Sequence, residues 1–387
     1  MKILLLSFLA LSLSIIGQED RTIEFDSKIL LETRAISIHI PESYSISEKS
    51  YPVIYSLDGE YTRLALNGTA DYYSYWDKIP ECIVVSIDQN YLDTTENKYK
   101  RWIDCSYSWD SGLPKNKGID FKDFISKELI PFIDSSYRTT SFRTIVGHSF
   151  SANYVNYFLL DKKPIFKGYV AISPYYPPNG LDSIKTIVEN LKEPIFYYVA
   201  NGENDLSGHI KSVNEFDKQF TKIYNENFVY GRFDMKNNQA THYTIFPIAL
   251  PSAIEHLFSA YNPISESEFK KILEEDNKID YLMERYANML NIYGVEVAIR
   301  ETDLNTVGYA IANKKQWEQL KQIAELSIEL YPESYAGYYQ MGTYFEEDKN
   351  FAAALEQYKL GFSKLGDDIV NIADFQKDID RVKNKLK

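Results

Sequence analysis

The sequence predicts an α/β protein, with a mainly parallel sheet flanked by helices over Arg21 to about Asn262 and a smaller all-helical part behind it. Three observations carry this. Short apolar runs alternate with helically spaced stretches along the first two thirds of the chain. Several of those runs are apolar at nearly every position, as strands buried on both faces are. Past Pro263 they give way to a stretch rich in Glu, Lys, Leu, Ala and Tyr. A length of 387 residues suits two or three domains. The 44% hydrophobic and 25% charged composition is that of a globular protein, which excludes bulk disorder and collagen-like repeats. A formal charge of −13 repels phosphate backbones and anionic lipid, so no nucleic-acid partner is expected. The 32 tyrosines would suit a surface that stacks on sugars or aromatic groups.

Taken in order, Lys2 and the apolar run Ile3 to Ile16, followed by Gln18-Glu19-Asp20, have the layout of a secretory signal peptide over 1–17. Its core is short for a membrane span. Gly17 is a suitable cleavage residue, although Ile15 stands where a second small residue is expected. With no cysteine nearby, a cysteine-linked lipid anchor is excluded. The mature protein is expected to be exported, periplasmic or secreted, without a membrane span.

Ala35 to Ile40 alternates with period two and stops at Pro41, which predicts an antiparallel strand. Pro52–Leu57, Cys82–Ile87, Thr144–Val146, Gly168–Ile172, Ile195–Ala200 and Phe228–Phe233 predict further strands. Helical spacing marks Phe121–Ile133, Asn153–Leu160 and Ser212–Tyr224. Cys82 and Cys105 allow one bridge or two buried thiols. In the helical part (265–387), Gly308 and Gly342 lie 34 residues apart, as do Trp317 and Phe351. With Ala354, Tyr358 and Gly361 this spacing resembles two degenerate tetratricopeptide-like repeats, about 302–332 and 335–366. Two copies are few for a solenoid, so the tail is expected to pack on the first domain or to use Ser265 to Leu290 as additional helices.

Thr144-Ile-Val-Gly-His-Ser-Phe-Ser-Ala152 is the stretch with the clearest chemistry. A buried strand runs through Gly147-His148-Ser149-Phe150-Ser151 into a helix, nearly a G-x-S-x-G nucleophile elbow, which lifts a serine hydroxyl clear of a sheet. Ser151 replaces the second glycine. Of five histidines, His242 sits in a loop after the last predicted strand and before a helix, where a general base belongs. His39 alternates outward and reads as a surface residue; His148 is expected to point away from the nucleophile's face; His209 follows a Gly-containing loop; His256 reads as a helix-face residue. The orienting acid follows Ile195–Ala200, where Glu203 and Asp205 both qualify. Asp205 is preferred because Gly202 permits a turn that brings it back to the site. The order Ser149, Asp205, His242 is that of α/β-hydrolases. The backbone N–H of Phe150 and that of Glu60, after Asp58-Gly59, are the expected oxyanion donors. Arg101, Trp102 and Trp109 form a candidate substrate rim, with an Arg101–Asp104 ion pair holding the loop as the plainer reading. No H-E-x-x-H or paired cysteines at ligand spacing occur, so no metal and no cofactor is expected.

Leu31-Glu-Thr-Arg34, Tyr51 through Glu60, Arg101-Trp-Ile-Asp104, Phe132 through Tyr137, Gly147 through Ser151, Ala171-Ile-Ser-Pro174 and Thr241 through Pro247 occur in an order that resembles one family. It is the esterase family of α/β-hydrolases with esterase D-like, enterochelin-esterase-like and some feruloyl-esterase members. The resemblance spans roughly Asp26 to Tyr261. It implies the α/β-hydrolase fold and metal-free carboxylic-ester hydrolysis. It places the acid after the Gly202 turn, the base at His242 and the second oxyanion amide at Glu60. Ser151 is the main departure and bears on turnover rate. The expected function is a serine carboxylic-ester hydrolase acting through an acyl-serine on a small-molecule or glycan-linked ester. The alternatives are a transacylase, or a non-catalytic binding module that uses the helical tail for a protein partner.

Overall fold

The computed structural model describes residues 19–177, 179–233, 239–365 and 369–387. The expected signal peptide lies outside them, as do residues 234–238 of the loop before His242. The strands are β1 (Glu19–Ser27), β2 (Glu32–Ile40), β3 (Tyr51–Ser56), β4 (Ile83–Ile87), β5 (Leu92–Asp93), β6 (Lys98–Tyr99), β7 (Thr139–His148), β8 (Gly168–Ile172), β9 (Ile195–Ala200) and β10 (Phe228–Arg232). Eight form one sheet in the order β1-β2-β4-β3-β7-β8-β9-β10, while β5 and β6 pair separately. β1 and β2 are antiparallel, β2 meets β4 antiparallel, and β4, β3, β7, β8, β9 and β10 run parallel. Burial at every position of β3, β4, β8 and β9 explains their unbroken apolar runs.

The sequence reading has no strand at β1, where Glu19, Asp20, Arg21, Glu24 and Asp26 mask the alternation of Ile23 and Phe25. Such charges suit an edge strand, since they deter pairing with another chain. His39, expected at the surface, is buried instead. Its Nδ1 lies 2.6 Å from Asp20 Oδ1 and its Nε2 2.9 Å from Asp71 Oδ1. Asp71 belongs to the helix Gly59–Tyr75, which covers that face of β2. Period-two alternation says which side a residue takes and nothing about what covers that side.

The helix expected over Phe121–Ile133 is Lys117–Phe124, a π turn Ile125–Leu129 and Ile130–Ser136. The turn ends beside Pro131, which has no N–H to give the preceding turn. Asn153–Leu160 resolves into the helix Phe150–Tyr154 and a 3₁₀ turn Val155–Phe158, and Ser212–Tyr224 into Ser207–Phe220. The helices Gly180–Val188 and Ile245–Leu257 complete the flanks. Cys82 and Cys105 are both free and buried, so the chain uses them as two thiols and not as a bridge.

The chain divides into two compact units, one ending at Ser259 and the other beginning at Ala260. The second is helical: Glu266–Glu274, Lys278–Tyr293, Glu301–Asn313, Trp317–Leu330, Ala336–Glu347, Phe351–Ser363 and Ile369–Lys385. Gly342 lies at a close approach between helices, where an added Cβ would sit 2.5 Å from the buried Tyr358 ring. Among the described residues no helix is long and apolar enough to cross a membrane.

Candidate active site

The chemistry-bearing residues collect where β3, β7, β8 and β9 end, the edge at which parallel α/β sheets place their ligands. β7 closes at His148, and Ser149 follows in a strained left-handed conformation with φ 60° and ψ −116°. The helix Phe150–Tyr154 starts at once, leaving Ser149 half-buried with its hydroxyl clear of the strand. A Cβ on Gly147 would fall 2.5 Å from the Ser151 carbonyl oxygen, so strand and helix are in contact there.

His242 Nε2 lies 2.9 Å from Ser149 Oγ, and His242 Nδ1 lies 2.8 Å from Asp205 Oδ1. Glu203, the alternative acid, is exposed and takes a 3.4 Å bond from Gln239. Gly202 opens the expected turn, with Asp205 N donating to Gly202 O and Gly202 N to Asp205 Oδ2, each at 3.3 Å; its φ is not left-handed, but a Cβ there would meet the Ala240 carbonyl oxygen at 2.2 Å. Absence of a side chain lets the acid's loop lie against the base's loop, where Asn204 N donates to Ala240 O at 2.9 Å.

Burial opposes ionisation of Asp205, but bonds from His242, Ser173 Oγ and the Leu206 amide outweigh it and hold the carboxyl at about 2. Ser173, which sequence reasoning gave no role, donates to Asp205 Oδ2 at 2.6 Å and lies 2.9 Å from His242 Nδ1. Its signal was the Ala171-Ile-Ser-Pro174 segment, where β8 ends and Ser173 turns to φ 53°. Phe150 and Glu60 are the first and second residues of their helices, so their amides have no intrahelical acceptor. The Glu60 carboxylate accepts from Asn90.

The "Putative esterase" family model matches residues 27–245, more than half of the chain. The chain belongs to this family. The fold is that of the α/β-hydrolases, and the protein is an esterase-type hydrolase. The uncharacterized protein YjcH of Bacillus subtilis (strain 168) is 25% identical over 209 residues, 52% of this chain and 81% of that one. An uncharacterised protein from Capnocytophaga ochracea DSM 7271 superposes with a TM-score of 0.72 at 22% identity, covering 95% of this chain and 100% of the other. An IroE-like serine hydrolase from Shewanella oneidensis gives 0.57 at 24% identity, over 80% of this chain and 99% of its own. At these identities the two structures speak for the fold alone.

In the esterase His148 does not point away from the site. Its Nε2–H donates to the His242 carbonyl oxygen at 2.9 Å, and its Nδ1 lies 3.1 Å from the Tyr61 hydroxyl. Burial first, and the neighbouring His242 second, push His148 down to about 4 from an ordinary 6.5. A base whose folded pKa lies below its unfolded one stabilises the fold fully above about pH 6.5, and that share is lost as pH falls towards 4, up to about 3 kcal/mol. Urea midpoints measured from pH 7.5 to 4.5 are therefore expected to fall more steeply in the wild type than in His148→Gln. Parallel curves would refute the assignment. His209 Nδ1–H donates to the Ser173 carbonyl at 2.7 Å, its ring 4.7 Å from that of His242. His256 packs its helix on β10, 3.0 Å from Val229 O.

Among the described residues, Asp205, His209 and His242 bring donor atoms within 4.8 Å of one another and are the group that could hold a metal ion. Each is already engaged in the hydrogen bonds described above. The expected Arg101–Asp104 pair is absent: Arg101 Nε pairs with Asp58 Oδ1 at 2.7 Å, and Asp104 pairs with Arg34. Arg34 is buried and reaches Asp104 with both arms, a bidentate fit that leaves Arg101 to the other side. Trp102 and Trp109 stay 50% and 44% exposed. The Trp102 ring centroid lies 4.5 Å from that of Phe150, and Tyr107 continues the row to Trp109.

Proposed function

We propose that the esterase is an exported serine carboxylic-ester hydrolase in which Ser149 is the nucleophile, His242 the general base and acid, and Asp205 the residue that fixes the imidazole. The observation that carries this reading is the unbroken run of bonds from Ser149 Oγ through His242 to Asp205, 2.9 and 2.8 Å long. His242 Nε2 takes the hydroxyl proton as Ser149 Oγ bonds to the ester carbon. Negative charge on the carbonyl oxygen falls to the amides of Phe150 and Glu60. Collapse breaks the carbon–oxygen bond to the alcohol, which leaves with the proton from His242. Water then repeats the sequence on the acyl-serine, with its proton passing to His242 and on to Ser149.

The half-exposed Trp102, beside Phe150, and Trp109, joined to that ring through Tyr107, support an ester that bears an aromatic or sugar group. We read 21–262 as the catalytic domain. The helices from Glu301 to Ser363 are read as two tetratricopeptide-like hairpins that offer a surface to a protein partner. The 34-residue spacing and the close approach at Gly342 favour that reading. Export rests on the first 17 residues.

A fluorophosphonate probe is expected to label the full chain stoichiometrically, with the adduct on the peptide containing Ser149. Ser149→Ala should take none. An adduct on another serine, or no adduct on folded protein, would sink the assignment.

A further inference from the structure

Ser151 stands where the family's elbow has its second glycine. In the structure it is fully buried and its hydroxyl reaches out of the elbow. Ser151 Oγ accepts from the His148 amide at 2.9 Å and donates to Asp58 Oδ2 at 2.6 Å, neither of which a glycine could do. Asp58 is fully buried, has φ 58°, and directly precedes Gly59 and Glu60. An ionised carboxylate in such a place is costly unless donors surround it. Four do: Arg101 Nε at 2.7 Å and Asn90 Nδ2 at 2.9 Å on Oδ1, Ser151 Oγ at 2.6 Å and the Tyr61 hydroxyl at 3.0 Å on Oδ2. That matches the acceptor capacity of a carboxylate. Arg101 Nη2 adds a 2.7 Å bond to the His148 carbonyl oxygen.

Asp58 thereby spans two loops that the backbone leaves apart. The ladder between β3 and β7 continues as far as Leu57 N to Val146 O, at 3.0 Å. Beyond that bond one chain turns into Gly59-Glu60 and the other into Ser149-Phe150. We propose that Asp58, clamped by Arg101 and Ser151, is a positioning residue that sets the spacing between the Glu60 and Phe150 amides. This rests on the reading of Ser149 as nucleophile and of those amides as oxyanion donors. Arg101 belongs to the clamp and not to the substrate: its side chain is 13% exposed and its guanidinium is committed to two internal acceptors. The serine at 151 then supplies a bond that ties the elbow to the oxyanion loop.

The test uses the full chain with p-nitrophenyl acetate, and a trifluoromethyl ketone that forms a tetrahedral adduct on the serine. Ser151→Ala, Ser151→Gly and Arg101→Lys are compared with the wild type after circular dichroism has verified folding. A displaced oxyanion donor weakens only charge that develops in the transition state, so kcat is expected to fall about 10- to 100-fold. KM should stay within about threefold, because ground-state binding does not use the hole. Affinity for the ketone should fall by the same factor as kcat. Ser151→Gly needs no extra room, so it answers the question even where alanine packs badly. Turnover within twofold of wild type in both Ser151 variants would overturn the proposal. So would a rise in KM with kcat held in Arg101→Lys, which would put Arg101 on the substrate. Wild-type turnover in Ser149→Ala would remove the nucleophile itself, an outcome visible in a separate variant.

Discussion

Ser149→Ala is expected to lower kcat for short-chain p-nitrophenyl esters by roughly 10⁴- to 10⁶-fold, with KM nearly unchanged. In the proposed mechanism the hydroxyl is the atom that bonds to the ester carbon, and no neighbour takes its place. Ser173 Oγ also lies within 2.9 Å of His242, but on Nδ1, the side that faces Asp205. The residual rate should come from the oxyanion amides acting on a water. Steady-state kinetics on matched, folded preparations decide it. Activity within tenfold of wild type would show that the 2.9 Å contact to His242 Nε2 is not the catalytic one.

The second large effect falls on the acid. Asp205→Asn is expected to reduce kcat by about 10⁴-fold, while Glu203→Gln stays near wild type. Asp205 Oδ1 accepts from His242 Nδ1–H and so leaves Nε2 unprotonated to receive the serine proton. An asparagine amide facing Nδ1 favours the opposite tautomer, with Nε2 already protonated and unable to act as a base. Glu203, exposed and turned to Gln239, has no such hold on the ring. The reverse ranking of the two variants would transfer the role to Glu203. Ser173, which donates to the other Asp205 oxygen at 2.6 Å, helps keep this carboxyl at about 2, so the acid stays ionised throughout any working pH range.

Much of this was legible before any coordinates. Unbroken apolar runs located β3, β4, β8 and β9, because burial on both faces leaves no room for polar alternation. The stretch around Ser149 reads as a strand-turn-helix, and Ser149 takes φ 60° directly after β7. A histidine after the last strand and an acid after β9 joined it, and His242 now lies within 3 Å of both Ser149 and Asp205. β1 escaped notice because its charges hide a two-residue alternation at an edge. His39 and His148 were misjudged for a common reason. One is covered by the helix Gly59–Tyr75, the other by the carbonyl of a residue 94 positions away. Arg101 was given Asp104 as its partner because the two are neighbours in sequence, whereas its partner is Asp58.

By itself, then, the sequence determined the local things: where most strands and helices run, which serine sits on the strained turn, and the chain order of Ser149, Asp205 and His242. Those depend on periodicity and on the shapes that glycine, proline and small residues allow, and both are written along the chain. The tertiary structure alone decided which polar groups meet. Ser173 reaches Asp205 across 32 positions, and Ser151 reaches Asp58 across 93. Such pairings answer to the cost of burying a charge or a donor without a partner, and that cost is set only once the loops at the ends of four parallel strands have been brought together.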